Sequence, residues 1–237
     1  MNELIAHLPI ATTVVALVFC AQLLGRFRQR GGLHLLWWAT GMLTYAAGTV
    51  AESLVTLIGW HETLFRLWYI TGALLGGAPL AQGTVYLLLS RRTANALSVI
   101  LLVVVGVATL CALSAPIQYQ LVETHRLTGQ VWGWPWVRMF SPVINTYAFL
   151  FLVGGAAASA VRYWDQPRRR HRAVGNILIA VGALLPGIGG TYTRFGHTEV
   201  LYVTEFLGLL LIFLGYRVIV ADAETGRILS VEDTALS

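Results

Sequence analysis

The chain has 237 residues, of which 57% are apolar and only 11% charged, against roughly 25% charged in an ordinary soluble domain. So little charge cannot cover the surface of a water-soluble fold. The net charge of +5 belongs to short arginine clusters beside apolar runs, which is how membrane topology is written, and not to a nucleic-acid-binding face.

A spanning helix needs about 20 mostly apolar residues. Runs of that length predict seven spans, at 3–25, 33–58, 64–90, 94–115, 142–163, 173–193 and 199–220. The expected fold is all-α, a polytopic membrane bundle of seven transmembrane helices in one domain (1–220), followed by a short cytoplasmic tail (221–237).

In the first span no basic residue precedes the apolar run, and Arg26, Arg28 and Arg30 follow it. That is the pattern of an uncleaved first helix with its amino terminus outside. The second span is aromatic and carries Glu52. The third opens with Arg66, has Gly72 and Gly76 at GxxxG spacing, and contains Pro79, which predicts a break near mid-depth. The fourth, almost continuous Val, Ile and Leu from Val99 to Val107, reads as lipid-facing.

A long connection from Pro116 to Ser141 carries Trp132, Trp134 and Trp136 around Pro135. It is expected to anchor at the headgroup level, with a lid over an outer pocket as the alternative. A small hairpin turn is expected at 127–131. The fifth span has Gly154, Gly155 and Ala156 to Ala158, suited to close helix packing. The sixth contains Pro186, where a second break is expected, and the seventh carries Glu205.

Twelve arginines fall on one side of this layout and four (Arg66, Arg126, Arg138, Arg194) on the other. The positive-inside rule then places the chain in the plasma membrane with its amino terminus outside and its carboxyl terminus in the cytoplasm. Cys20 and Cys111 fall near opposite faces, too far apart to bridge.

Two segments are alike. Gly59-Trp60-His61-Glu62 compares with Gly196-His197-Thr198-Glu199, each at an outer turn before a helix. Together with Gly48-Thr49 and Gly190-Thr191 upstream, this suggests a 3+1+3 parallel repeat, with a working site between the halves.

Ionisable residues inside a membrane are functional candidates by default. Glu52 lies roughly 9 Å below the outer end of its helix at 1.5 Å per residue, and Glu205 lies at similar depth. Glu52, Arg66, Tyr69, Arg194, Tyr202 and Glu205 form the expected ligand-binding set, with Glu52–Arg66 and Glu205–Arg194 as neutralising pairs. His61 and His197, with Glu62 or Glu199, are weak candidates for a metal site, since no HxxxH or HExxH pattern supports one. Asn145, Thr146, Tyr147, Asn176 and Gln82 are expected to hydrogen-bond between helices.

The layout resembles microbial rhodopsins in topology alone. That family ties retinal to a lysine, and this sequence contains no lysine, so a retinal Schiff base is excluded and no cofactor is expected. The motifs Leu36-Trp37-Trp38 and Leu67-Trp68-Tyr69 also resemble the seven-helix sensor regions ahead of bacterial histidine kinases, over about a third of the chain, although the stretch after Ala221 is too short for a kinase domain. Both resemblances point to a family of prokaryotic seven-helix membrane proteins.

Three functions are compatible with this reading. The first is a receptor or carrier that binds a small molecule or lipid in an outer polar pocket. The second is an accessory subunit that meets a membrane-protein partner or a second copy of itself. The third is a lipid-acting enzyme using Glu52 or Glu205 as acid or base, for which no paired-acid, metal or nucleophile motif speaks.

Overall fold

The structure is a computed structural model that describes residues 3–235, with side chains described for 5–193 and 195–221. It is an all-α bundle. In chain order the helices are α1 (Glu3–Ala6), α2 (Leu8–Arg30), α3 (Leu33–Ile58), α4 (Glu62–Trp68), α5 (Ala78–Leu88), α6 (Arg91–Ser114), α7 (Phe140–Ala148), α8 (Gly154–Trp164), α9 (Arg170–Tyr192) and α10 (Thr198–Ala235).

Six stretches are long and apolar enough to cross a bilayer: Leu8–Arg30, Leu33–Ile58, Arg91–Ser114, Pro135–Trp164, Pro167–Tyr192 and Thr198–Ala221. In hydrocarbon only a helix satisfies its own backbone, so these runs form helices. The remaining traverse, expected as one helix over 64–90, is broken. After α4 the chain makes a π-helical turn at Tyr69–Leu74, and α5 restarts at Ala78 with Pro79 in its first turn. Neighbouring side chains satisfy the freed backbone. Ser141 and Asn145 donate to the Ala73 carbonyl at 3.0 and 3.1 Å, and Thr44 donates to the Leu75 carbonyl at 3.4 Å.

Pro186 does not behave as Pro79 does. It lies inside an unbroken α9, with its ring against Gly208, where an added Cβ would sit 3.0 Å from the proline Cδ. The expected break there is absent, and the ring is accommodated against Gly208 of the neighbouring helix. A second π-helical turn, Phe149–Val153, joins α7 to α8 and was not foreseen.

The α2–α3 turn is two residues long. Gly31 and Gly32 have φ of 66° and 103°, values that side-chain-bearing residues adopt at a cost. One end of the bundle, formed by this turn, the α5–α6 turn and the α8–α9 turn, is the arginine-rich end. The other carries the long 115–139 connection.

That connection packs onto the end of the bundle. Gln118 and Gly133 pair by their main chains with Val131 and Pro116 at 2.8 Å each. The hairpin expected at 127–131 is instead a 3-10 turn at Gly129–Val131. Trp132 is 1% exposed, its ring 4.7 Å from Phe65 and 5.1 Å from Tyr69. Trp134 and Trp136 stack together and stay exposed. The segment is tied down at both sides: His125 Nδ1 lies 3.2 Å from the Val55 carbonyl, and Arg126 donates to the Thr193 carbonyl at 3.0 Å.

On α6, Val99, Ile100, Leu102, Val103 and Val107 are exposed, as expected of a lipid-facing helix. Cys20 donates to the Ala39 carbonyl at 3.3 Å, and both cysteines are free. Gln82 bonds Ser98 at 2.8 Å and accepts from Tyr147, so these residues do link helices. Thr146 and Asn176 instead bond carbonyls of their own helices at 2.7 Å each.

Candidate carboxyl site

Glu52 owes its surroundings to two glycines. Gly48 of α3 approaches Gly72 so closely that a Cβ on Gly48 would lie 3.1 Å from the Gly72 Cα. The two segments run antiparallel. One turn further toward the long-loop end, that register sets Trp68 opposite Glu52. The Trp68 Nε1 donates to Glu52 Oε1 at 2.9 Å. Glu52 is 2% exposed, and among the described residues no N–H or O–H donor reaches its Oε2.

The Glu205 carboxyl of α10 lies within hydrogen-bonding reach of Glu52. Two tyrosines flank the pair. Tyr45 donates its hydroxyl to the Glu205 main-chain carbonyl at 3.2 Å. Tyr202, buried, has its hydroxyl in reach of the Thr56 side chain, and Thr56 itself donates to the Glu52 main-chain carbonyl at 3.0 Å. Helices α3 and α10 are not close-packed neighbours; these side chains bridge the space between them.

Two like charges at about 4 Å repel by about 4 kcal/mol at an effective dielectric of about 20. Closely paired carboxyls in general relieve such repulsion by sharing one proton.

The expected Glu52–Arg66 pair does not form. Arg66 is committed elsewhere: Nε donates to Glu62 at 2.8 Å, and its remaining nitrogens donate to the carbonyls of Ala112, Leu113 and Ala115 at the end of α6. The cause is geometric. Four residues separate Glu62 from Arg66, the spacing of neighbours on one helical face, and the terminal carbonyls of α6 have no partners of their own helix.

Tyr69 is also directed elsewhere, donating to the Val137 carbonyl at 3.1 Å within the aromatic cluster. Arg194 sits in the Thr193–Phe195 turn, and its side chain lies outside the described ones. Of the six expected residues, the structure brings together Glu52, Tyr202 and Glu205. The sequence reading missed Trp68 and Tyr45 as partners of the pair. The signal for Trp68 was present in Gly48 and Gly72, each one turn from Glu52 and Trp68 respectively.

The two histidines do not converge. His61 Nδ1 accepts from the Thr63 main-chain N–H at 3.3 Å, and His197 Nδ1 lies 3.1 Å from a Glu199 oxygen. Among the described residues no three His, Cys, Asp or Glu side chains gather as metal ligands do.

No protein-family model matches the chain, and no curated protein matches it.

Proposed function

We propose that this multi-pass membrane protein is a receptor or carrier that binds a small cationic ligand at the Glu52–Glu205 pair. The observation that carries this reading is the pair itself: two carboxyl groups facing each other across helices that are not close-packed. Binding a cation in place of the shared proton conserves the charge of the buried site. The aromatic rings of Trp68, Tyr45 and Tyr202 around it suit an organic ammonium ion, which is attracted to ring faces.

In this reading the arginine-rich end faces the cytoplasm, so the pair lies in the outer half of a plasma-membrane protein. The 115–139 segment is then a lid, held by His125 against α3 and by Arg126 against the α9–α10 turn. A 3+1+3 construction agrees with this placement, because it puts the working site between the halves. Gly59 and Gly196 support it, with φ of 87° and 96° at matching positions, each followed by an acidic first turn.

The test is thermal stability of the purified full chain against sodium, tetramethylammonium and an arylamine over a range of pH. A ligand that binds only the folded state stabilises it by mass action. The expected stabilisation by the best cation grows as pH rises, because binding releases a proton. It disappears in Glu52→Gln and in Glu205→Gln. Stabilisation that is unchanged in both variants removes the pair from ligand binding.

A second reading, a subunit of a larger membrane complex, is favoured by one observation. Gly106, Gly154, Gly187 and Gly190 have nothing within 4 Å of an added Cβ, and small residues are where membrane helices dock. Crosslinking in native membranes that yields only monomer counts against it.

A further inference from the structure

A second site lies apart from the carboxyl pair, on the lipid-facing side of the long-loop end. It is a groove of about 610 Å³ between the start of α4 and the end of α6, with Trp60, Glu62, Arg66, Leu67, Leu113 and Tyr119 in its wall. Its chemistry is graded. Leu67 and Leu113 are exposed where the groove meets the apolar surface. The other end is polar and aromatic, with the Trp60 and Tyr119 rings edge to face at 6.1 Å.

The charges at that end favour a cation. The Tyr119 hydroxyl and the Arg66 guanidinium hold the Glu62 carboxyl below the usual carboxylate range, so it is ionised, and its side chain is 38% exposed. The Arg66 charge is spent on Glu62 and on the three terminal carbonyls of α6, which carry the negative end of that helix's dipole. An ammonium group beside Glu62, in the corner where the Trp60 and Tyr119 rings meet edge to face, would lie against an aromatic face and a carboxylate that Arg66 and Tyr119 hold in place, an environment in which quaternary ammonium groups are recognised.

His61 adds an anion donor beside it. Its Nδ1 accepts from Thr63, which leaves the ring proton on Nε2. Cation recognition, a nearby N–H donor and an apolar exit into the bilayer fit the headgroup and upper chain of one kind of molecule.

We infer that this groove holds a zwitterionic phospholipid, its choline or ethanolamine ammonium against Trp60, Tyr119 and Glu62, its phosphate at His61, and its acyl chains along Leu67 and Leu113. The site is independent of the carboxyl pair, and either can fail without the other.

Native mass spectrometry of the full chain tests it, with dihexanoyl-phosphatidylcholine and dihexanoyl-phosphatidylglycerol offered in equal amounts. The expected result is retention of the choline lipid with a preference of about ten-fold, between the size of an exposed and of a desolvated cation–π contact. Glu62→Gln abolishes the preference. Trp60→Leu, which leaves the Arg66 anchorage in place, reduces it too and serves if Glu62→Gln fails to fold. Equal retention of both lipids, or an unchanged preference in Trp60→Leu, overturns the proposal. So does soluble phosphocholine binding as well as the lipid, which would make the groove a site for a water-borne ligand.

Discussion

Where α4 meets the long connection, the packing is aromatic: Phe65, Tyr69 and Trp132 fill the space ring against ring. Where α9 meets α10 it is made of absences. A Cβ on Gly182 would lie 2.5 Å from the Gly208 carbonyl oxygen, and one on Gly215 would lie 2.4 Å from that of Gly175. The first region is held by large side chains that order a loop, the second by backbone contact that needs no side chain. The carboxyl pair takes one member from each, Glu52 from the helix that packs on α4 and Glu205 from the glycine-seamed hairpin. A relative shift of the two regions therefore changes the distance between the carboxyls.

The largest expected effect breaks the aromatic side. Trp132→Ala removes a fully buried ring, a change that costs about 3–5 kcal/mol in well-packed cores. Hydrogen exchange should rise across 115–139 and at α4, while α9 and α10 keep their protection. A uniform rise over the whole chain would show that the two regions unfold as one. Gly208→Ala addresses the other side. Its Cβ would meet the Gly182 carbonyl oxygen at 2.6 Å and the Pro186 ring at 3.0 Å, an overpacking expected to cost about 1–3 kcal/mol. Here exchange should rise in α9 and α10 and leave the loop protected.

The same contrast explains what the sequence disclosed. Apolar run length was sufficient for six of the seven spans, because in hydrocarbon a run of that length has one way to satisfy its backbone, and it failed for 64–90, which is interrupted at Tyr69–Leu74. Glu52 and Glu205 stood out as charges in such runs. Partnerships were harder to read, because they depend on register between helices. Arg66 had two candidate partners, Glu52 across the α3–α4 turn and Glu62 one turn before it on the same helical face, and the α6 end adds three carbonyl acceptors on the Glu62 side. The π-helical turns at Tyr69–Leu74 and Phe149–Val153 leave no compositional mark, since one extra residue in a turn is a packing outcome. Pro186 and Pro79 look alike in sequence, yet Pro79 stands in the first turn of a helix that restarts after a π-helical turn and Pro186 lies inside a continuous one.

Trp68→Phe sharpens the comparison at the pair itself. It keeps the ring packing and removes the N–H that reaches Glu52, with an expected loss of about 1 kcal/mol. The carboxyl C=O stretch of the pair in the infrared should shift, and protection in α9 and α10 should not. An unshifted band would mean that Trp68 packs beside Glu52 without polarising it.

The smallest effect concerns the two acidic first turns. Glu62 is drawn below its ordinary value of 4.5 by the Tyr119 hydroxyl and Arg66, and Glu199 below the same value by its own main-chain N–H and His197. A carboxyl depressed in the folded state stays ionised where the unfolded chain would take up a proton. Its stabilisation is therefore complete above pH 4.5 and is lost as pH falls through the lower folded value. Both groups are solvent-exposed, so each contributes little. The consequences differ by region nonetheless. Glu62 joins α4 to Tyr119 of the loop and, through Arg66, to α6, whereas among the described residues Glu199 bonds within its own turn. Acidification below pH 4.5 should therefore raise exchange in the loop half first, and Glu62→Gln should remove that pH dependence where Glu199→Gln leaves it. Equal acid sensitivity in the two variants would mean that Glu62 does not fasten the loop.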